Sequence, residues 1–165
     1  MSATIDIQDK VAVIKMDDGK ANAINPTMLD ALHACLDDAE ANADAVVITG
    51  RENRFSGGFD LRMMSSAPPE DVRALVTNGG KLAMRLYGFK LPVVAACTGH
   101  GVAMGSFILL SCDFRVGARG EFKLGANETA IHMVLPKFAA ELIKARIDPR
   151  RLTEAGVTGQ LFNPD

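Results

Sequence analysis

Two glycine-bearing segments have residue types and spacing suited to chemistry: Phe55-Ser56-Gly57-Gly58-Phe59-Asp60-Leu61 and Thr98-Gly99-His100-Gly101-Val102-Ala103-Met104-Gly105. Each follows a run with the length and β-branched content of a buried strand, Ala45-Val46-Val47-Ile48-Thr49 and Pro92-Val93-Val94-Ala95-Ala96-Cys97. After the second, residues 106–112 are apolar and free of proline, so a buried helix follows the turn. A tight turn before a helix leaves backbone N–H groups unpaired where negative charge is favoured. In an α/β sheet both turns open beyond the carboxyl ends of the strands, where ligands bind. One N–H from each turn can converge on a single oxygen, the arrangement that stabilises an enolate or another oxyanion.

Other candidates are weaker when read alone. Glu128, in Leu124-Gly125-Ala126-Asn127-Glu128-Thr129-Ala130-Ile131, is by itself an ordinary loop carboxylate. Glu128 and His132 have the i, i+4 spacing of metal ligands, but no third ligand accompanies them, and no metal is expected. His100 lies in the second turn without an evident partner, and His33 reads as a surface or packing residue. Met63-Met64 reads as packing or as pocket lining. Cys35, Cys97 and Cys112 have no metal-type spacing and read as reduced, buried thiols, which favours a cytoplasmic setting. A net charge of −2 gives no nucleic-acid footprint and no polybasic membrane contact. No apolar run reaches the roughly 18 residues of a membrane span. The N-terminal residues lack the basic-then-apolar layout of a signal peptide.

The elements that position these segments follow from periodicity. Residues 4–7 and 11–16 form a hairpin across Gln8-Asp9-Lys10. Asn25-Pro26 caps an amphipathic helix over 26–43, with Leu29, Leu32, Leu36 and Ala39 on its apolar face. Residues 51–58 read as a loop. A helix over 69–87 is weakened by Gly79-Gly80. Residues 114–118 form a strand, Glu121 to Leu124 is extended, and Asn127 or Thr129 starts a helical turn. Pro136 opens a helix that ends before Pro149, and residues 152–156 read as one more turn of helix. The alternation makes a single α/β domain over residues 1–165, large enough for a core of its own.

Here the motifs carry a resemblance. Phe55–Leu61 resembles the F-S-A-G-x-D-L signature of the crotonase (enoyl-CoA hydratase/isomerase) superfamily. Pro92–Asp113 resembles, without gaps, its second signature, P-V-I-A-A-v-n-G-x-a-x-G-G-G-x-e-l-x-l-x-C-D. Lys20-Ala21-Asn22-Ala23-Ile24 resembles the segment that begins the first helix. The resemblance implies a spiral of repeated ββα units, an acyl-CoA thioester as substrate, and a homotrimer or dimer of trimers. CoA is then part of the substrate, and no separate cofactor is implied. The C-terminal helices that family members use for trimer contacts and to cover the acyl pocket are expected to be missing from this chain.

Carried over residue by residue, the oxyanion donors are the backbone N–H groups of Phe59 and Met104. Met104 stands where the family usually has glycine, so its side chain is expected to narrow the site. Lys20, Ala21, Gly57, Asp60, Leu61 and Arg62 fall along the CoA path, and Asp60 is also placed to cap a helix starting at Leu61. Phe107 stands where the hydratases resemble one another in having a glutamate, and is expected to line the acyl pocket. Glu128 lies in a run resembling the L-N-E-S-x-L-G-I of Δ3,Δ2-enoyl-CoA isomerases, which work with one carboxylate. The implied function is a shift of a 3-enoyl-CoA double bond to the 2 position, with Glu128 as base and acid. A hydratase working with one glutamate is the alternative, and a non-catalytic acyl-CoA binder the next. A Clp-type serine peptidase shares the general fold, and Gly99–Gly105 resembles its nucleophile motif. Ala103 occupies the nucleophile position and has no hydroxyl.

Overall fold

A computed structural model describes residues 2–164. In chain order its strands are β1 (Ala3–Gln8), β2 (Val11–Met16), β3 (Ala23–Ile24), β4 (Ala45–Thr49), β5 (Asn53–Ser56), β6 (Gly58–Phe59), β7 (Val93–Cys97), β8 (Gly99–Val102), β9 (Phe114–Gly117) and β10 (Leu124–Gly125). Its helices are α1 (Pro26–Asn42), α2 (Leu61–Ser66), α3 (Pro69–Tyr87), α4 (Met104–Ser111), α5 (Lys137–Arg146) and α6 (Leu152–Gly156), with 3-10 turns at Thr129–Ile131 and Pro149–Arg151.

The β1–β2 hairpin turns through Asp9 and Lys10, both at positive φ (47° and 65°), the turn conformation that matches strand twist. From β2 onward the chain repeats strand, strand, helix. The leading strands β2, β4, β7 and β9 lie side by side and parallel, so the large sheet has the order β1-β2-β4-β7-β9. The second strands β5, β8 and β10 form a smaller parallel sheet in the order β10-β8-β5, and β3 pairs with β6. Each repeat thus advances the spiral by one strand in both sheets. The sequence reading of 51–58 as a loop is corrected here. Asn53–Ser56 has no apolar alternation, and it is a strand because β8 pairs with it.

The core lies between the large sheet and the helices. Ile14, Met16, Val46, Ile48, Val93 and Ala95 face Leu29, Leu32 and Leu36 of α1 and Leu75, Leu82 and Leu86 of α3, all buried. Each large side chain of this kind contributes roughly 1.5–3 kcal/mol on burial. Asn25 caps α1, its side chain accepting from the Met28 N–H at 2.9 Å. α3 runs unbroken through Gly79 and Gly80 because the missing side chains admit two aromatic rings. A Cβ on Gly79 would lie 2.5 Å from Phe59 Cζ, and one on Gly80 2.9 Å from Phe138 Cδ1. The helix is thereby brought close to β6.

Candidate active site

The two glycine turns touch backbone to backbone. Gly57 N–H donates to Ala21 O (2.8 Å) and Asp60 N–H to Ile24 O (3.0 Å), which seats β6 on β3. Gly58, at φ +91°, breaks the alternation after Gly57; beside Asp60, whose amide faces β3, the adjacent Phe59 amide of the extended backbone is turned to the other side. Gly58 has φ +91°, and a Cβ there would lie 2.8 Å from Ala103 Cβ and 3.3 Å from the Met104 nitrogen. A Cβ on Gly105 would lie 2.5 Å from Ser56 O. Ser56 Oγ donates to Asn22 O (2.7 Å) and accepts from Gly58 N–H (3.2 Å), tying this junction to β3.

Ala103 occupies φ +51°, ψ −123°, a conformation that costs a non-glycine residue of order 1–3 kcal/mol. Its amide is held by Gly125 O at 2.9 Å, so β10 over-determines the turn. The turn delivers the chain from β8 into α4, and the Met104 N–H is the first amide of that helix, where no carbonyl one turn back can accept it.

Beside these turns lies a cavity of about 170 Å³. Its wall is formed by Phe59, Leu61 and Met64 on one side, Val76 of α3, and Ile131, Met133, Val134 and Pro136 on the other. Gly57, Val102, Ala103, Asn127 and Glu128 complete it, and among these lining residues Glu128 is the single ionisable side chain. Glu128 is 6% exposed and its Oε2 has no hydrogen-bond partner. Its backbone is anchored instead, with Glu128 O accepting from Met133 N–H (2.8 Å) and Ile131 N–H (3.1 Å). Burial raises the Glu128 carboxyl above its usual 4.5, because the charged form loses hydration. A buried acid with a raised pKa, alone in an apolar cavity, is suited to exchanging a proton with a bound molecule.

A second, more polar depression of about 490 Å³ adjoins the cavity through Gly57, Phe59 and Leu61. Lys20, Ala21, Gly57, Asp60, Leu61 and Arg62, the six positions expected along a CoA path, all line it. Asp60 also caps α2, its Oδ1 accepting from Arg62 N–H (2.9 Å) and Met63 N–H (3.3 Å).

The sequence model of the enoyl-CoA hydratase/isomerase family matches residues 6–165. The chain belongs to that family. An enoyl-CoA hydratase/isomerase family protein from Pseudomonas syringae has the same fold at a TM-score of 0.96 and 36% identity, covering 99% of this chain and 70% of that one. Human mitochondrial delta3-delta2-enoyl-CoA isomerase superposes at a TM-score of 0.93 with 27% identity, over 99% of this chain and 66% of its own. A crotonyl-CoA hydratase of Syntrophomonas wolfei is 26% identical over 164 residues, 96% of this chain and 62% of that one. Relatives named for either reaction thus match at similar identity. The chain spans about half to three fifths of the length of curated relatives it matches, 50% in the case of a probable enoyl-CoA hydratase of Bacillus subtilis. The fold is the crotonase spiral expected from the motifs.

Two expectations within the family frame are corrected. Met104 does not narrow the site: its side chain is fully buried, with its sulfur 3.4 Å from where a Gly79 Cβ would stand. Phe107 does not line the cavity. It is fully buried, and its ring meets Phe138 edge-on at 5.8 Å between centroids. Of the methionine pair, Met64 lines the cavity and Met63 packs on the core. His100 accepts from Lys123 N–H through Nδ1 (3.0 Å), and the Arg85 guanidinium donates to His33 O (3.0 Å). Ser106 Oγ donates to Ala103 O (2.7 Å) and is not in the cavity wall. Among the described residues no group of three His, Cys, Asp or Glu side chains is placed to hold a metal ion, and no helix is long and apolar enough to cross a membrane. Asn127 and Val76 were not expected in the site. The motif neighbour Glu128 pointed to the first, while nothing local distinguishes Val76 from any apolar residue on α3.

Proposed function

We propose that this chain shifts the double bond of a 3-enoyl-CoA thioester to the 2 position. Glu128 removes a proton from C2, the electron pair moves onto the thioester as an enolate, and the same carboxyl returns a proton at C4. The N–H groups of Phe59 and Met104 hold the enolate oxygen, and losing one such donor typically costs ~3–4 kcal/mol of transition-state stabilisation. The observation that carries this reading is the lone carboxyl in an apolar cavity beside the contact of the two glycine turns. One carboxyl can make both proton transfers, and no step calls for a metal or redox cofactor. Phenylalanine at 107 supports isomerisation over hydration, since α4 brings no second carboxylate. The depression lined by Lys20 and Arg62 suits the phosphates of CoA. A homotrimer or dimer of trimers in the cytoplasm goes with this reading. The three buried free thiols support a reducing compartment.

The test is a 3-enoyl-CoA isomerisation assay on the purified chain and on Glu128→Gln. Turnover is expected to fall about 10²–10⁴-fold in the variant while saturated acyl-CoA still binds. Near-normal turnover in the variant would remove Glu128 from the mechanism. Binding of acyl-CoA without turnover in the unsubstituted chain would favour a carrier over an enzyme.

A further inference from the structure

Leu75, Gly79, Leu82 and Leu86 follow one another on α3 at the spacing of an apolar stripe, and all four are buried. Three carry leucine and the fourth has no side chain, in mid-helix, where glycine is the poorest residue after proline. The space is filled by side chains from elsewhere. A Cβ on Gly79 would lie 2.5 Å from Phe59 Cζ, 2.6 Å from Phe59 Cε1 and 3.4 Å from the Met104 sulfur. These belong to the two residues whose amides form the proposed oxyanion hole. Phe59 comes from β6 and Met104 from the start of α4, and both side chains end at one point of a third element. The Gly57 and Asp60 amides tie the chain to β3 on either side of Phe59, and the ring tip adds a third fixed point.

We propose that Gly79 is a positioning residue for the reaction: the gap it leaves in α3 is a single socket for the side chains of both oxyanion donors, and it sets how their two amides converge. The inference rests on the reading above in taking those two amides as the hole. One added methyl group at 79 would act on the two unequally. The Phe59 ring would have to retreat by about 1 Å to reach an ordinary carbon–carbon separation of about 3.5 Å, whereas the Met104 sulfur already stands close to that separation. One donor is then displaced while the other stays, and the pair no longer meets at one oxygen. A misplacement of about 1 Å can cost on the order of 10²-fold in rate.

The test sets Gly79→Ala beside Gly80→Ala in the full chain. Gly80 is the next residue of α3 and is also buried, but the nearest contact of a Cβ there would be the Phe138 ring, at 2.9 Å. In Gly79→Ala, kcat for isomerisation of a 3-enoyl-CoA should fall by about 30- to 100-fold with KM nearly unchanged, while Gly80→Ala stays close to the unsubstituted chain. The second readout is the thioester carbonyl stretch of bound butyryl-CoA, isotope-edited at its carbonyl and read by infrared difference spectroscopy. Two converging donors lower this frequency; Gly79→Ala should lose most of the shift and Gly80→Ala should keep it. Equal losses of kcat in the two variants, or a loss in Gly79→Ala with the carbonyl shift intact, overturn the proposal, since the damage then lies in the helix or the cavity wall. Full turnover in Gly79→Ala overturns it too. An unsubstituted chain without the carbonyl shift overturns the oxyanion reading and the proposal together, whereas a shift that Gly79→Ala leaves untouched overturns the proposal alone. A chain that shows the shift without isomerising fails the isomerase reading, and the shift in the two variants still decides the proposal. One further pair does not depend on Gly79→Ala folding. Phe59→Leu keeps the amide but leaves the socket partly empty, and adding Gly79→Ala refills it, so the double variant should exceed Phe59→Leu in kcat by about threefold. A double variant no faster than Phe59→Leu overturns the proposal.

Discussion

Asp60 stands at the start of α2, and Glu128 at the start of the 3-10 turn Thr129–Ile131, so both carboxylates are placed where a helical segment begins. Asp60 is engaged locally, taking the amides of Arg62 and Met63 on one oxygen. The Glu128 side chain caps nothing, its Oε2 has no partner, and burial raises its pKa. The geometry of aspartate explains part of the difference. Its short side chain reaches the amides two and three residues on, whereas glutamate, one methylene longer, is free to lean into the cavity. The comparison separates a carboxylate used to hold the fold from one held by the fold. The first is half-buried, with one oxygen taken up by two amides; the second is buried, its Oε2 unpartnered and available for proton transfer.

The largest expected effect tests that separation directly. Glu128→Gln should cost about 10²–10⁴-fold in kcat, whereas Asp60→Ala should act far more weakly on kcat and more on KM, since Asp60 lines the polar depression. A loss of kcat in Asp60→Ala as deep as in Glu128→Gln would break the comparison.

The pH profile comes next in size. As a general base Glu128 must be ionised, so kcat/KM should rise about tenfold per pH unit until the pH passes a value above the usual 4.5 of glutamate. That limb should vanish from the residual rate of Glu128→Gln. An inflection at the ordinary glutamate value would mean that burial does not act on this group.

Stability should show the smallest effect, with opposite signs at the two sites. Because the folded-state pKa of Glu128 is raised, the native state holds this proton more tightly than the unfolded chain does. There is no penalty below the unfolded value, and it is fully present once the pH has risen through the folded one. Glu128→Gln should therefore melt higher at neutral pH, by on the order of 1 kcal/mol, and lose this advantage as the solution is acidified toward the unfolded value. Asp60→Ala should lose about 1 kcal/mol at neutral pH with the cap. Thermal unfolding of both variants at two pH values measures this.

Much of the fold was legible in local sequence. The capped start of α1 at Asn25-Pro26, the Asp9-Lys10 turn and the buried runs of β4 and β7 depend on residues within a few positions of one another. The resemblance of two motifs placed both oxyanion candidates and the polar depression. Glu128 was reachable only through its motif, since a lone carboxylate in a polar turn carries no signal of burial. β5 and β6 were not legible, because four residues reading Asn-Arg-Phe-Ser become a strand only when a partner from more than forty residues away supplies their hydrogen bonds.

The directions of side chains set the limit. By itself the sequence determined where the chain turns, which amides are left unpaired at a helix start, and that no hydroxyl stands at position 103. These follow from φ preference, capping chemistry and residue identity, all of which act over a few residues. Only the tertiary structure decided that Met104 and Phe107 turn into the core, that Val76 reaches the cavity, and that Asn127 and Glu128 keep their acceptors unfilled there. What a side chain meets depends on elements far away in sequence. α3 can lie against Phe59 because Gly79 leaves room for the ring, and the wall of the cavity follows from that packing.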